Sequence, residues 1–222
     1  MKMNLNKYID HTLLKADASK FEIEKLCKEA IEFDFATVCI NPGKVAYAKS
    51  ILKDTNVGIT TVIGFPLGAT TTEVKVFETK QALENGATEI DMVINIGAVK
   101  DKDWEFVLKD MREIKNIAPN NKVKVILENC LLTKEEIVKC CNLALEANLD
   151  FVKTSTGFST SGATFEDIKL MKSIVNDKAE VKAAGGVRTF EDALKMIENG
   201  ATRLGTSGGV SIIKGQDNKS TY

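Results

Sequence analysis

Histidine is almost missing from this chain: His11 is the one imidazole in 222 residues. Protein zinc and iron sites lean heavily on histidine, so a His-based metal centre is not expected and the chemistry reads as metal-independent. The five cysteines (Cys27, Cys39, Cys130, Cys140 and Cys141) form no CxxC pair and are odd in number. This argues against a disulfide framework and for reduced thiols in the cytoplasm. No apolar run approaches the roughly 18 residues that a membrane span requires, and Met1–Lys7 shows no signal-peptide core. Neither sign of charge is in excess, with 30 Lys+Arg against 31 Asp+Glu and a net charge of -1. Nucleic acid and acidic membranes are therefore not expected as partners. No Pro/Ser-rich linker divides the chain, and 44% hydrophobic residues can build a substantial core.

Short apolar strands alternate throughout with longer amphipathic segments. Strands are expected near Tyr8–Asp10, Thr37–Ile40, Gly58–Ile63, Glu89–Asn95, Lys122–Leu127, Asp150–Thr154, Glu180–Ala183 and Arg203–Gly205. Helical periodicity falls between them at Lys20–Glu32, Lys44–Lys53, Thr72–Glu84, Trp104–Asn116, Lys134–Glu146, Thr164–Val175 and Thr189–Glu198. Ser19 precedes the first helix as an N-cap, with Glu22 placed to complete a capping box. Seven crossover helices joining eight strands describe a parallel α/β sheet that closes on itself, a (β/α)8 barrel. One domain over residues 1–222 is expected, with a polar, mobile tail at 216–222.

An internal repeat sharpens this picture. Glu84-Asn-Gly-Ala-Thr-Glu-Ile-Asp91 and Glu198-Asn-Gly-Ala-Thr-Arg-Leu-Gly205 are nearly the same stretch. Glu146–Lys153 and Glu32–Cys39 are looser versions. Each is a helix end, a cap and the next strand, and the four fall on the even-numbered strands. Alternate strands of such a barrel supply one interior layer. The eighth positions, Cys39, Asp91, Lys153 and Gly205, are thus expected at one height inside the barrel.

Two lysines interrupt apolar strands, Lys153 in Phe151-Val-Lys-Thr-Ser-Thr-Gly157 and Lys182 in Val181-Lys-Ala-Ala-Gly-Gly186. A buried ammonium without full pairing tends to shed its proton, and two neighbouring ones depress each other, which prepares a nucleophilic amine. Taken singly, each lysine is equally read as snorkelling to solvent. Asp91 is an acid in an apolar strand, suited either to a structural ion pair or to proton transfer. Glycine-rich turns at Gly185-Gly186 and Gly205–Gly209 follow the last two strands, where barrels of this kind cradle phosphate; Thr154–Gly157 adds hydroxyl and amide donors. Asp10 and Thr12 are expected to support the lysines, whereas His11 reads first as a hydrogen-bonded structural residue.

Four motifs, Ile9-Asp-His-Thr-Leu13, Glu89-Ile-Asp-Met-Val-Ile-Asn-Ile-Gly97, Phe151–Gly157 and Val181-Lys-Ala-Ala-Gly-Gly-Val-Arg188, together resemble the deoxyribose-phosphate aldolase family, and the likeness runs along essentially the whole chain. The resemblance implies a TIM barrel and a class I lyase needing neither metal nor cofactor. Its reaction would be reversible cleavage of 2-deoxy-D-ribose 5-phosphate to D-glyceraldehyde 3-phosphate and acetaldehyde, in deoxynucleoside catabolism. It implies Lys153 as the Schiff-base residue, Asp91 as proton donor and acceptor, and Lys182 as the neighbour that lowers the Lys153 pKa and relays protons. Thr154, Gly157, Gly185, Gly186, Gly205, Ser207 and Gly208 would hold the phosphosugar, with Asp10, Thr12, Cys39 and the terminal Tyr222 in support. A homodimer in the cytoplasm is the implied assembly. Some family members carry a lysine directly after the STG glycine; Phe158 stands there instead, leaving phosphate binding more dependent on backbone amides. Other readings of the same residues are a transaldolase or fructose-bisphosphate aldolase type of Schiff-base enzyme, or a non-catalytic phosphosugar-binding barrel.

Overall fold

A computed structural model describes residues 5–215; the expected mobile tail at 216–222, Tyr222 included, lies outside the described residues. Eight parallel strands close into a barrel in chain order. They are β1 Ile9–Leu13, β2 Thr37–Ile40, β3 Gly58–Ile63, β4 Glu89–Val93, β5 Lys122–Ile126, β6 Phe151–Lys153, β7 Glu180–Ala184 and β8 Arg203–Thr206. Helices α1 Lys20–Glu32, α2 Val45–Leu52, α3 Thr72–Glu84, α5 Trp104–Ile117, α6 Lys134–Glu146, α7 Phe165–Val175 and α8 Phe190–Glu198 make the crossovers, with α4 Ile96–Lys100 and α9 Gly209–Ile213 as short additions. The first strand runs further than its apolar pattern suggested, to Leu13. The fourth stops at Val93 because Asn95 turns from strand to cap: its side-chain oxygen accepts from the Ala98 amide at 3.0 Å and starts α4. Alternating Ile94-Asn-Ile96 reads as strand until that capping bond is seen.

The helix starts follow from short polar side chains. Ser19, Thr71, Asp103, Thr133, Thr164 and Thr189 each accept a backbone N–H at the head of a crossover helix. Ser19–Glu22 forms the expected reciprocal box, and Thr133–Glu136 and Thr189–Asp192 do the same. The helix ends explain the repeat. Asp34, Gly86, Asn148 and Gly200, its third positions, all have positive φ, from 51° to 111°. Glycine, asparagine and aspartate are the residues that adopt this conformation at least cost. The repeat is thus a left-handed helix stop followed by a strand, used four times.

Register then fixes the interior. Cys39 pairs with Thr60 and Thr60 with Glu89, two residues below Asp91. Asp91 pairs with Lys124 and Lys124 with Phe151, two below Lys153. Lys153 pairs with Lys182 and Lys182 with Arg203, two below Gly205. Because tilted strands lose two residues of height per pair of strands crossed, the level positions are Cys39, Asp91, Lys153 and Gly205, the layer the repeat predicts. The same count gives a middle layer of Asp10, Thr60, Lys124 and Lys182, and a floor of Thr37, Glu89, Phe151 and Arg203. All are buried. The alternate residues, among them Val38, Ile90, Val123, Val125, Val152, Val181 and Ala183, are buried in the apolar core shared with the helices.

One ion pair lies in that outer annulus. Lys75 of α3 is fully buried, 2.6 Å from Asp110 of α5, and it also donates to the Val93 carbonyl at 2.9 Å. Gly64 makes room, since a Cβ there would lie 2.8 Å from Lys75 Cε. Removing one partner of such a pair strands the other charge. Asp110→Ala should therefore lower unfolding free energy by ~3–5 kcal/mol, read from urea midpoints; a loss within measurement error would show the pair to be dispensable.

Candidate active site

The strand ends of β4, β6 and β7 bring three side chains to one point. Lys153 Nζ donates to Asp91 Oδ2 at 2.8 Å, and Lys182 Nζ donates to the same oxygen at 2.8 Å. The two lysines are register partners on adjacent strands, both facing inward, so neither snorkels. A third lysine, absent from the expected site, occupies the other oxygen: Lys124 Nζ to Asp91 Oδ1 is 2.8 Å. Beneath them, Asp10 lies 2.5 Å from Lys182 and 2.7 Å from Arg203. Glu89 lies 2.6 Å from Lys124 and 2.9 Å from Arg203.

The two inward lysines are not equivalent. Burial pulls Lys153 below an ordinary lysine; Asp91 opposes this and the Lys182 charge adds to it. Burial works on Lys182 as well, but Asp10 and Asp91 together outweigh it and hold Lys182 well above the usual lysine range. Lys182 therefore stays an ammonium beside an amine prone to lose its proton, the arrangement a nucleophilic lysine needs. Burial would raise both carboxyls, yet Lys124, Lys153 and Lys182 keep Asp91, and Lys182, Arg203 and Lys124 keep Asp10, well below the carboxylate range. Burial raises the Cys39 thiol, leaving it neutral in the top layer.

The supporting residues divide. Asp10 does pair with Lys182, whereas the Thr12 hydroxyl donates to the Asp10 carbonyl at 2.8 Å and touches its own strand, not a lysine. His11 points the other way: its Nε2 is 2.8 Å from Glu29 of α1 and its ring tilts against Phe35, as a structural residue would. Leu14, Cys39, Val62 and Phe65 form a small apolar cluster beside the polar core.

The expected phosphate loops are brought together only in part. Gly157, Gly185 and Gly186, all at positive φ, line a cavity of about 280 Å³ at the barrel rim. Their loops meet closely, since a Cβ on Gly162 would sit 2.3 Å from the Gly185 backbone. Arg188, from the loop after β7, lines the same cavity and places a cation at its wall. Thr154 is not a free donor: its Oγ1 donates to the Ala184 carbonyl at 3.2 Å and accepts from the Ala184 amide, joining β6 to β7. Gly205 belongs to the barrel interior, where a Cβ would press on Lys182 Cε at 3.1 Å. The Gly208 amide is taken by Thr206 Oγ1, and Ser207 lines a separate cavity of about 180 Å³ with His11 and Lys15. Glu128, missed in the sequence, holds the turn after β6. Buried at the end of β5 with φ 55°, it accepts from the Thr156 amide at 3.2 Å and from the Thr156 hydroxyl. The buried Ser155 hydroxyl next to it has no partner among the described residues.

This electrostatic arrangement links stability to acid. Asp10 and Asp91 lose protons far more readily folded than unfolded, so below about pH 4 the unfolded chain takes up protons first and acid favours unfolding. Stability should hold above that pH and fall by about 1.4 kcal/mol per pH unit for each group below it. Urea midpoints flat from neutrality down to about pH 3 would contradict the ion pairing.

Comparison with known proteins places the whole chain among aldolases. A deoxyribose-phosphate aldolase 1 of Mesoplasma florum is 69% identical over 220 residues, covering 99% of this chain and 100% of the relative. A deoxyribose-phosphate aldolase of Mycoplasma capricolum is 64% identical over 222 residues, the full length of both. Among solved structures, a tetrameric deoxyribose phosphate aldolase from Aeropyrum pernix superposes with a TM-score of 0.89 at 32% identity, covering 95% of this chain and 89% of that one. An aldolase named QR15 gives 0.92 at 43%, covering 96% and 95%. Matched over residues 5–214, the chain belongs to the DeoC/LacD family of aldolases.

Proposed function

We propose that this aldolase works by a class I mechanism with Lys153 as the Schiff-base residue, cleaving 2-deoxy-D-ribose 5-phosphate reversibly to D-glyceraldehyde 3-phosphate and acetaldehyde. The observation that carries the reading is the shared Asp91 oxygen, 2.8 Å from Lys153, which burial pulls below an ordinary lysine, and 2.8 Å from Lys182, which Asp10 and Asp91 hold above it. The substrate class rests on relatives named deoxyribose-phosphate aldolase at 69% and 64% identity.

The neutral Lys153 amine attacks C1 of the open-chain sugar, and loss of water from the carbinolamine leaves an iminium. The C3 hydroxyl gives up its proton as the C2–C3 bond breaks. The bond's electron pair moves toward the iminium, forming an enamine on Lys153 and releasing glyceraldehyde 3-phosphate. Protonation at C2 and hydrolysis of the resulting imine free acetaldehyde and restore the amine. Asp91 and Lys182, in direct contact with one another, are the groups suited to carry these protons. The 5-phosphate suits the rim cavity, where Gly157, Gly185 and Gly186 turn their backbone at positive φ and Arg188 adds charge. Ser155, whose buried hydroxyl has no partner among the described residues, is a donor suited to the sugar.

The reading extends to a cytoplasmic homodimer. Four of the five free thiols are buried and none is paired, which suits a reducing compartment. No helix among the described residues is long and apolar enough to cross a membrane. Light scattering would separate a dimer from the tetramer described for the Aeropyrum pernix relative.

Borohydride reduction in the presence of acetaldehyde, followed by peptide mass mapping, tests the nucleophile. One ethyl group on Lys153 is expected. Ethylation of Lys182 instead would exchange the two roles, and none on either lysine would end the class I reading. Lys153→Arg should lose turnover by several orders of magnitude, as removal of a covalent nucleophile does; wild-type turnover in that variant would overturn the assignment.

A further inference from the structure

The barrel interior holds seven charged or chargeable groups besides the Cys39 thiol. Three are carboxylates, Asp10, Glu89 and Asp91; four are basic, Lys124, Lys153, Lys182 and Arg203, all buried. Pairing among them is uneven. Arg203 has both Asp10 and Glu89, at 2.7 and 2.9 Å. Lys182 has Asp10 and Asp91, at 2.5 and 2.8 Å. Lys124 has Glu89 and Asp91, at 2.6 and 2.8 Å, with Asp10 at 3.9 Å. Among the described residues Lys153 has only Asp91 Oδ2, which it shares with Lys182. Three carboxylates thus match three fully paired cations, and a fourth positive charge would stand in excess in a poorly polarisable interior.

We propose that Lys124 and Glu89 are positioning residues that hold Lys153 neutral through the charge count of the barrel core, with Lys124, Lys182 and Arg203 balancing Asp10, Glu89 and Asp91. The inference rests on Lys153 being the Schiff-base lysine. It assigns a role in the reaction to two side chains one and two layers below the reacting amine. Neither is among Lys153's own partners: Lys124 acts by occupying Asp91 Oδ1, and Glu89 acts through Lys124 and Arg203. The groups that face Lys153 from the surrounding strands are Asp10 from β1, Cys39 from β2, Asp91 from β4, Lys124 from β5 and Lys182 from β7, with Glu89 and Arg203 beneath; β3 contributes the uncharged Thr60. Removing Lys124 leaves one carboxylate in excess, and the remaining site able to take a proton is Lys153. Removing the Glu89 charge has the opposite effect.

The readout is the acid limb of kcat/KM against pH, together with the pH dependence of borohydride and acetaldehyde trapping at Lys153. Lys124→Met should move the limb to higher pH by about one unit or more, a loss of about tenfold at pH values below it. Glu89→Gln should move it to lower pH. The double variant K124M/E89Q, again balanced at two against two, should return the limb close to its original position. A merely structural role would reduce folding stability in both single variants without opposite movements of the limb. If Lys124→Met does not fold, Glu89→Gln alone decides: a limb that stays in place or rises overturns the proposal. In the set of three, limbs that coincide, or that move in the same direction, or a double variant that is not restored, would do the same. Absence of Lys153 ethylation in the unchanged protein would remove the Schiff-base reading itself, whereas ethylation with an unmoved limb would overturn only the charge count.

Discussion

Everything in the interior of this barrel depends on one carboxylate contacted by three lysines. Asp91 receives Lys124 on one oxygen and both Lys153 and Lys182 on the other, each at 2.8 Å. One negative charge cannot satisfy three positive ones in a medium that screens weakly. Asp10 and Glu89 therefore have to be where they are, one beside Lys182 and one beside Lys124, and Arg203 has to close the far side of both. The group with the weakest claim on any carboxylate is the one that becomes an amine. The reactivity proposed for Lys153 is in this sense a remainder, produced by pairing everything else.

Such a core does little to hold the fold together. Interiors of these barrels are commonly filled by branched apolar side chains, and a buried ion network returns about what its desolvation takes. Here the apolar interior contribution is chiefly Phe151, whose ring lies 5.6 Å from Lys124 Nζ and 5.4 Å from the Arg203 guanidinium centre, cushioning the floor cations. Cohesion has to come from the annulus, where outward strand residues such as Val123, Val125, Val152 and Val181 share one buried apolar cluster with Ile23, Met111, Ile137 and Ile168 of the helices. Hydrophobic burial outside and ion pairing inside are thereby separated into two shells. The outer shell holds the strands, while inside the barrel a charge can be changed cheaply only together with its partner, since removing one alone strands the other.

How much of this was legible in the chain depended on whether it had a local signature. Strand and helix alternation was readable, since each element carries its own period and most crossover helices carry a polar cap. The top layer was readable because a repeat marks it, and Lys153, Lys182 and Asp91 stood out against apolar neighbours. Lys124 carries no such signal for a physical reason: in Lys122-Val-Lys-Val-Ile126 it follows an exposed lysine with the same alternation, so the strand looks half-solvated when it is buried above its first residue. The sixth position of the repeat, Thr37, Glu89, Phe151 and Arg203, already contained the floor, because two residues along a strand is one interior layer down. Arg188 and Glu128 had no comparable signal. Their placements arise from loops converging in space, Gly162 against Gly185 and Glu128 against Thr156, which no single stretch encodes.

The repeat also explains how the reactive layer is kept in phase. A strand has a period of two, so a slip of one residue would send Lys153 outward under the helices and bring Val152 inward. In each of the four repeat units the left-handed residue stands five positions before the top-layer residue: Asp34 before Cys39, Gly86 before Asp91, Asn148 before Lys153 and Gly200 before Gly205. That residue stops the helix, and its reversal of φ turns the chain within three residues onto the following strand. A stop at constant distance delivers every even strand at the same height and with the same face inward. The caps at the bottom of the barrel are in this way part of the geometry of the proposed active site. They ensure that a glycine, Gly205, lies where Lys182 must pass and that Lys153 meets Asp91, although none of the four touches either lysine.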